Sequence, residues 1–218
     1  MNYFLIFIFQ MEKWISSLLG VCSTEKIFDN LMMKITDFTT TPCHSLTEMR
    51  AHRPTKSRGD LFEDFCKLWL ESKYSCQVWK LADLPTEKRQ EMALPSNDVG
   101  IDLIVYFPST GKHWAVQCKW RDPKNVTRVT WKDLSTFLLL CARTGEWDKH
   151  VVMTNMRSIS WKGRKNTKDH SICYQSFVNT PHHVWCQMVK QTIPQPLVTC
   201  SLTPEEVRAR RLAYFNNN

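Results

Sequence analysis

Asp102, Gln117 and Lys119 are the residues whose types and spacing best suit chemistry. They sit in two very apolar stretches, Ile101-Asp102-Leu103-Ile104 and Ala115-Val116-Gln117-Cys118-Lys119-Trp120. A charged Asp or Lys among such neighbours is costly to bury unpaired, so its presence there suggests a purpose. Gln117 and Lys119 are two apart and share one face of a strand. Cys118 between them points to the apolar side, and its carbonyl is a further oxygen donor. Together these groups suit the cutting of a phosphodiester. That reaction needs a nucleophilic water, charge stabilisation at the phosphate and help for the leaving oxygen. A hard cation such as Mg²⁺ supplies much of this from one or two carboxylates and its own waters. A nearby Lys stabilises the charge or assists the water.

A rigid platform must hold these groups. Ile101 to Phe107 is dense in Ile, Leu, Val, Tyr and Phe and reads as a buried strand. Pro108-Ser109-Thr110-Gly111 is turn chemistry, and His113 to Trp120 is the returning strand of a hairpin. Upstream, Leu61, Phe62, Phe65, Leu68 and Trp69 form the apolar stripe of a helix. Cys76 to Leu81 alternates loosely as a strand, and Thr86 to Met92 is polar and helix-permissive. Thr130 and Asp133 suit a capped helix running through Leu134 to Cys141 and ended by Gly145. His150 to Met153 is a short β-branched strand. Helix, three strands, helix and strand give a mixed α/β sheet with helices packed on it.

Three spans are expected: a helical extension over 1–55, a core over 56–170 and a second helical extension over 171–218. Polar residues His52 to Asp60, with Pro54 and Gly59, read as a linker into the core, and Thr39-Thr40-Thr41-Pro42 as a break. Val184 to Lys190 is a short helix, and Thr203-Pro204-Glu205-Glu206 opens another.

The pattern Asp98-Val99-Gly100-Ile101-Asp102-Leu103, followed by Gln117-Cys118-Lys119-Trp120, resembles the PD-(D/E)XK restriction-endonuclease-like superfamily, in its type IV restriction, Mrr-like branch. In that branch Gln commonly stands where others carry an acid before the Lys. Gly59-Asp60-Leu61-Phe62-Glu63 resembles the branch's helix whose Glu reaches the metal. Leu84-Pro85-Thr86 through Leu94-Pro95 is similar to the nuclease domain at the head of predicted helicases of mobile elements and large DNA viruses.

The resemblance implies a restriction-endonuclease-like mixed central sheet flanked by helices, and metal-dependent endonuclease activity on DNA with Mg²⁺ or Mn²⁺. It implies that Glu63 and Asp102 bind the metal with the Cys118 carbonyl, and that Lys119 stabilises the phosphate or activates water. Gln117 leaves the site one negative charge short, so metal is held more weakly or Gln117 acts by hydrogen bonding. Asp98 is an auxiliary acid in the same loop. Taken singly, each residue also has an ordinary reading. Glu63 lies off the helix stripe as an exposed acid would, Asp102 suits a turn cap, Lys119 a snorkelling strand end, and Gln117 a half-exposed strand.

Composition sets the remaining expectations. The 29 Lys and Arg against 21 Asp and Glu give a net charge of +8, compatible with a polyanionic partner or with a merely basic surface. Arg157, Lys162, Arg164 and Lys165 gather around Trp161, suiting backbone contacts and base stacking, or equally a solvated loop. Nine cysteines without a C-x-x-C pair give little support for zinc and suit a reducing compartment. The apolar run Tyr3 to Phe9 is too short to span a bilayer, which takes roughly 20 residues, and lacks a signal-peptide pattern. The chain therefore reads as intracellular, not secreted and free of membrane. No phosphate-binding loop is present, so any helicase would be a separate partner. A homodimer would serve double-strand cutting. A catalytically inactive DNA-binding module of the same fold is the alternative.

Overall fold

The computed structural model describes residues 3–38, 54–95, 100–122, 128–161 and 166–189. Two helices, α1 (Tyr3–Leu19) and α2 (Thr24–Phe38), precede the long helix α3 (Pro54–Lys73). Next come β1 (Gln77–Lys80), a 3₁₀ turn (Leu81–Asp83), α4 (Thr86–Glu91), β2 (Leu103–Phe107) and β3 (Lys112–Lys119). The chain continues with β4 (Val129–Thr130), α5 (Trp131–Cys141), β5 (Lys149–Thr154), β6 (Ile159–Ser160) and β7 (Asp169–Ile172). Helices α6 (Tyr174–Val178) and α7 (His182–Met188) follow.

The main sheet has the order β1-β2-β3-β5-β7. β1, β2 and β3 are antiparallel neighbours, whereas β3, β5 and β7 run parallel. This is the mixed α/β sheet flanked by helices expected from the sequence. β4 and β6 form a separate parallel pair.

Strand alternation splits the interior into two layers. Leu103, Val105, Val116, Cys118, Val151 and Met153 face a core shared with α1, α2, α3, α6 and α7. Ile104, Ala115 and Val152 face a second core with Leu134, Phe137 and Cys141 of α5. The first core centres on aromatics: Phe177 stacks on Phe28 at 4.8 Å and meets Phe65 edge-on at 5.3 Å. Each fully buried Phe contributes about 1.5–3 kcal/mol, so these rings fix α3 firmly against α2 and α6.

One sequence reading needs correction. The polar stretch His52 to Asp60 is no linker from Pro54 onward, because α3 begins there. Proline is favoured at a first helical position, where its missing N–H has no partner to lose. Tyr3 to Phe9 forms the first half of the 17-residue α1. The break at 39–42 and the helix opening at Thr203 lie outside the described residues. Among the described residues no helix is long and apolar enough to cross a membrane, and the seven described cysteines are free.

Candidate active site

Asp102 sits immediately before β2 and is locked into the sheet from every side. Its N–H donates to Val116 O at 2.9 Å, and its carbonyl accepts from Leu81 N–H at 3.1 Å. Its carboxylate, 8% exposed, accepts through Oδ2 from both the Gln117 Nε2 amide and the Cys118 backbone N–H. The hairpin register that pairs Leu103 with Val116 brings these groups together. Gln117 is itself buried at 3% exposure rather than half-exposed. It serves as a donor to the acid, the hydrogen-bonding role open to a Gln in place of a carboxylate.

Gly100 makes this approach possible. Its φ of +116° is disfavoured for side-chain-bearing residues, and an added Cβ would lie 3.3 Å from the Phe137 backbone nitrogen and 3.6 Å from Gln117 Oε1. The loop therefore passes between α5 and the Gln117 amide on its way to Asp102.

Glu63 approaches from α3, on the Cys118 side of the sheet. Both Glu63 and Asp102 act on the same two buried thiols. Burial pushes the Cys66 thiol up and the Cys118 thiol well above its ordinary value, and the charges of Glu63 and Asp102 add to both shifts. The charges of Glu63 on α3 and of Asp102 before β2 are thus both felt at Cys66 and Cys118. Cys66 and Cys118 also interact side chain to side chain, joining α3 to β3 beneath the acids.

The next residue of α3 turns elsewhere. Asp64 is 2% exposed, and Lys80 Nζ at the end of β1 lies 2.6 Å from its Oδ1. Burial raises the Asp64 carboxyl above its ordinary value, and the Lys80 ammonium opposes that rise. The sequence reading passed over this pair, whose members are 16 residues apart.

Lys119 ends β3, half-buried, in register with Thr154 of β5. Thr154 Oγ1 donates to the Lys119 carbonyl at 2.7 Å. Asn155 grips Arg121, two residues on, twice: Arg121 N–H donates to its Oδ1 at 2.9 Å, and its Nδ2 donates to Arg121 O at 2.7 Å. Arg121 Nη2 lies 3.0 Å from Asp133 Oδ1 at the start of α5. There Asp133 completes a capping box with Thr130. Burial alone would raise the Asp133 carboxyl, but the Thr130 bonds, with Arg121 and Lys119 nearby, hold it below the ordinary range. Thr154 at the end of β5 and Asn155 just beyond it, neither singled out in the sequence, fix the backbone around Lys119.

The basic group is only partly described. Arg157 is exposed, with its guanidinium 5.9 Å from the Tyr174 ring centre. It lines a cleft of about 800 Å³ beyond the carboxyl ends of β3, β5 and β7, together with Arg128, Asn155 and Met33. Trp161 is half-buried and packs against the second core. Lys162, Arg164, Lys165 and Asp98 lie outside the described residues. A larger cavity, about 1130 Å³, opens at the opposite end of the sheet beside His113, Trp147 and His150. It is remote from the acids, since His113 and His150 lie at the starts of the strands that Lys119 and Thr154 end.

The donors fit a hard cation better than a soft one. Among the described residues no three His, Cys, Asp or Glu side chains group to hold a metal by themselves. Two carboxylates from different elements, a strand-end carbonyl and water match the sparse protein ligation of Mg²⁺. The Cys66 and Cys118 thiols, pushed up by burial, are poor thiolate ligands.

No curated protein and no solved structure matches the chain. A family model described as restriction endonuclease, Mrr_cat_2, matches residues 70–179. The match takes in Asp102, Gln117, Cys118 and Lys119 and begins beyond Glu63. With the mixed sheet and its acid-bearing hairpin, this match makes the chain a member of the Mrr-like restriction endonuclease family.

Proposed function

We propose that this chain is a metal-dependent endodeoxyribonuclease that hydrolyses DNA phosphodiester bonds. The observation that carries the reading is the Asp102 carboxylate, buried and held by Gln117 and the Cys118 N–H on the strand that ends in Lys119. Asp102, Glu63 and the Cys118 carbonyl are the groups that would hold Mg²⁺ or Mn²⁺. When bound, the cation supplies Lewis-acid stabilisation of the phosphate and a water of lowered pKa.

The chain's own groups do the rest. Lys119 places a positive charge where negative charge develops on the phosphate. Gln117 donates to Asp102 and so orients its carboxylate. It adds no charge of its own, which predicts weaker metal affinity than two strand acids would give. Arg157, and Trp161 with Lys162, Arg164 and Lys165, are the proposed contacts to the DNA strand.

Residues 56–170 are taken as the part that bears the chemistry, with the flanking helical spans covering it. The free thiols support an intracellular location. A separate helicase is a proposed partner on the strength of the resemblance, and a second copy would allow both strands to be cut.

The neutral Gln117 bonded to Asp102 also favours a second reading, a DNA-binding module that has lost catalysis. Incubation of supercoiled plasmid with Mg²⁺, Mn²⁺ or EDTA, comparing wild type and Asp102→Ala, separates the two. The nuclease nicks only with metal and only with Asp102. The binding module retains DNA without cutting it under any condition.

A further inference from the structure

The pair of buried Asp64 and half-buried Lys80 lies next to, but outside, the candidate metal ligands. Asp64 directly follows Glu63 on α3. Lys80 directly precedes Leu81, whose N–H donates to the Asp102 carbonyl at 3.1 Å. A contact of 2.6 Å therefore joins the residue beside one candidate ligand to the residue beside the backbone partner of the other. Successive helix residues point about 100° apart. Fixing Asp64 over the end of β1 therefore constrains the rotation of α3, and with it the direction in which the neighbouring Glu63 leaves the helix.

Stability is a weak explanation for such a pair. Removing two charges from water costs much of what their attraction returns, and packed apolar residues often do as well. A directional contact supplies what an apolar pair does not, namely one defined rotation and height of the helix. The aromatic core ties α3 to α2 and α6, and the ion pair adds a directional contact from α3 to the end of β1.

We propose that Asp64 and Lys80 are positioning residues that hold Glu63 in the geometry needed for a divalent cation. The proposal rests on the metal-site reading above. Its test is Mn²⁺ binding, followed by the resonance of free Mn²⁺ without DNA, together with the metal dependence of cleavage. The variants are Lys80→Arg, Lys80→Met/Asp64→Leu and Asp102→Ala. The double variant replaces the pair with apolar side chains and so separates positioning from folding, with melting temperature as the check. If it fails to fold, the isosteric Asp64→Asn takes its place.

The expected result is a folded double variant whose Mn²⁺ dissociation constant rises about 10-fold or more, as loss of a supporting partner does elsewhere. Its maximal cleavage rate at saturating metal stays within about 3-fold of wild type, and Lys80→Arg stays near wild type in both measures. A double variant that binds Mn²⁺ like wild type, while Asp102→Ala does not, overturns the positioning role and leaves the metal site standing. Equal binding by wild type and Asp102→Ala overturns the metal site, and the positioning role falls with it.

Discussion

The Gln117 side-chain amide donates to the same Asp102 carboxylate oxygen that accepts the Cys118 backbone N–H. One acid is thereby tied to two successive residues of the neighbouring strand, where Gln117 stands in the place of a second carboxylate. The consequences of this arrangement are open to measurement.

Gln117→Glu puts a second carboxylate within bonding distance of a buried one. In EDTA it is expected to destabilise the fold by roughly 1–3 kcal/mol, since Asp102 loses a donor and gains a like charge. Added Mn²⁺ is expected to reverse the loss, because the extra charge favours the cation. Thermal melts with and without metal decide it. An unchanged melting temperature in EDTA would show that the Gln117–Asp102 bond carries no weight.

Gly100→Ala tests the loop that delivers Asp102. At φ +116°, with the Phe137 backbone 3.3 Å from the new Cβ, the strain is expected to cost roughly 1–3 kcal/mol. Urea denaturation measures it. A neutral outcome would mean that the loop can adopt another path to the strand.

Asn155→Ala removes both side-chain bonds to Arg121 while leaving β5 in the sheet. Exchange of the Arg121 amide is expected to accelerate by about 10-fold or more, following a local loss of roughly 1–3 kcal/mol. Unaltered exchange at that amide would remove Asn155 from the support of Lys119.

The Asp133 carboxyl is held below its ordinary value: burial opposes this, and the Thr130 bonds and nearby cations outweigh it. A depressed carboxylate contributes stability above its unfolded pKa and loses it as pH falls through the lower folded value. Wild type is therefore expected to lose stability relative to Asp133→Asn as the solution is acidified from about pH 4 downward. Parallel acid titrations of the two proteins would refute this if their difference stayed constant.

The sequence made the hairpin legible because Ile101 to Phe107 and His113 to Trp120 are apolar runs separated by turn residues, and the structure pairs them. Thr130 and Asp133 likewise announced their capping box three residues apart. Local spacing carried both. The start of α3 was hidden because its first residues are polar, so composition resembled a loop until Pro54 was seen as a helix opener. β7 was missed because Asp169-His170-Ser171-Ile172 has no strand-like alternation, and its pairing with β5 is what makes it a strand. Site supports such as Asp64 with Lys80, or Asn155 with Arg121, depend on register between distant segments. No local periodicity reports them.

The central claim is that Lys119 completes a metal-dependent centre with Asp102. Cleavage of supercoiled and linear DNA in Mg²⁺, Mn²⁺ or EDTA, by wild type and Lys119→Ala, tests it most directly. The account predicts cutting that requires metal and falls by about 100-fold or more in the variant, the scale of losing one charge-stabilising group. Equal cutting by both proteins, or DNA binding by wild type with no cutting in either metal, would contradict it.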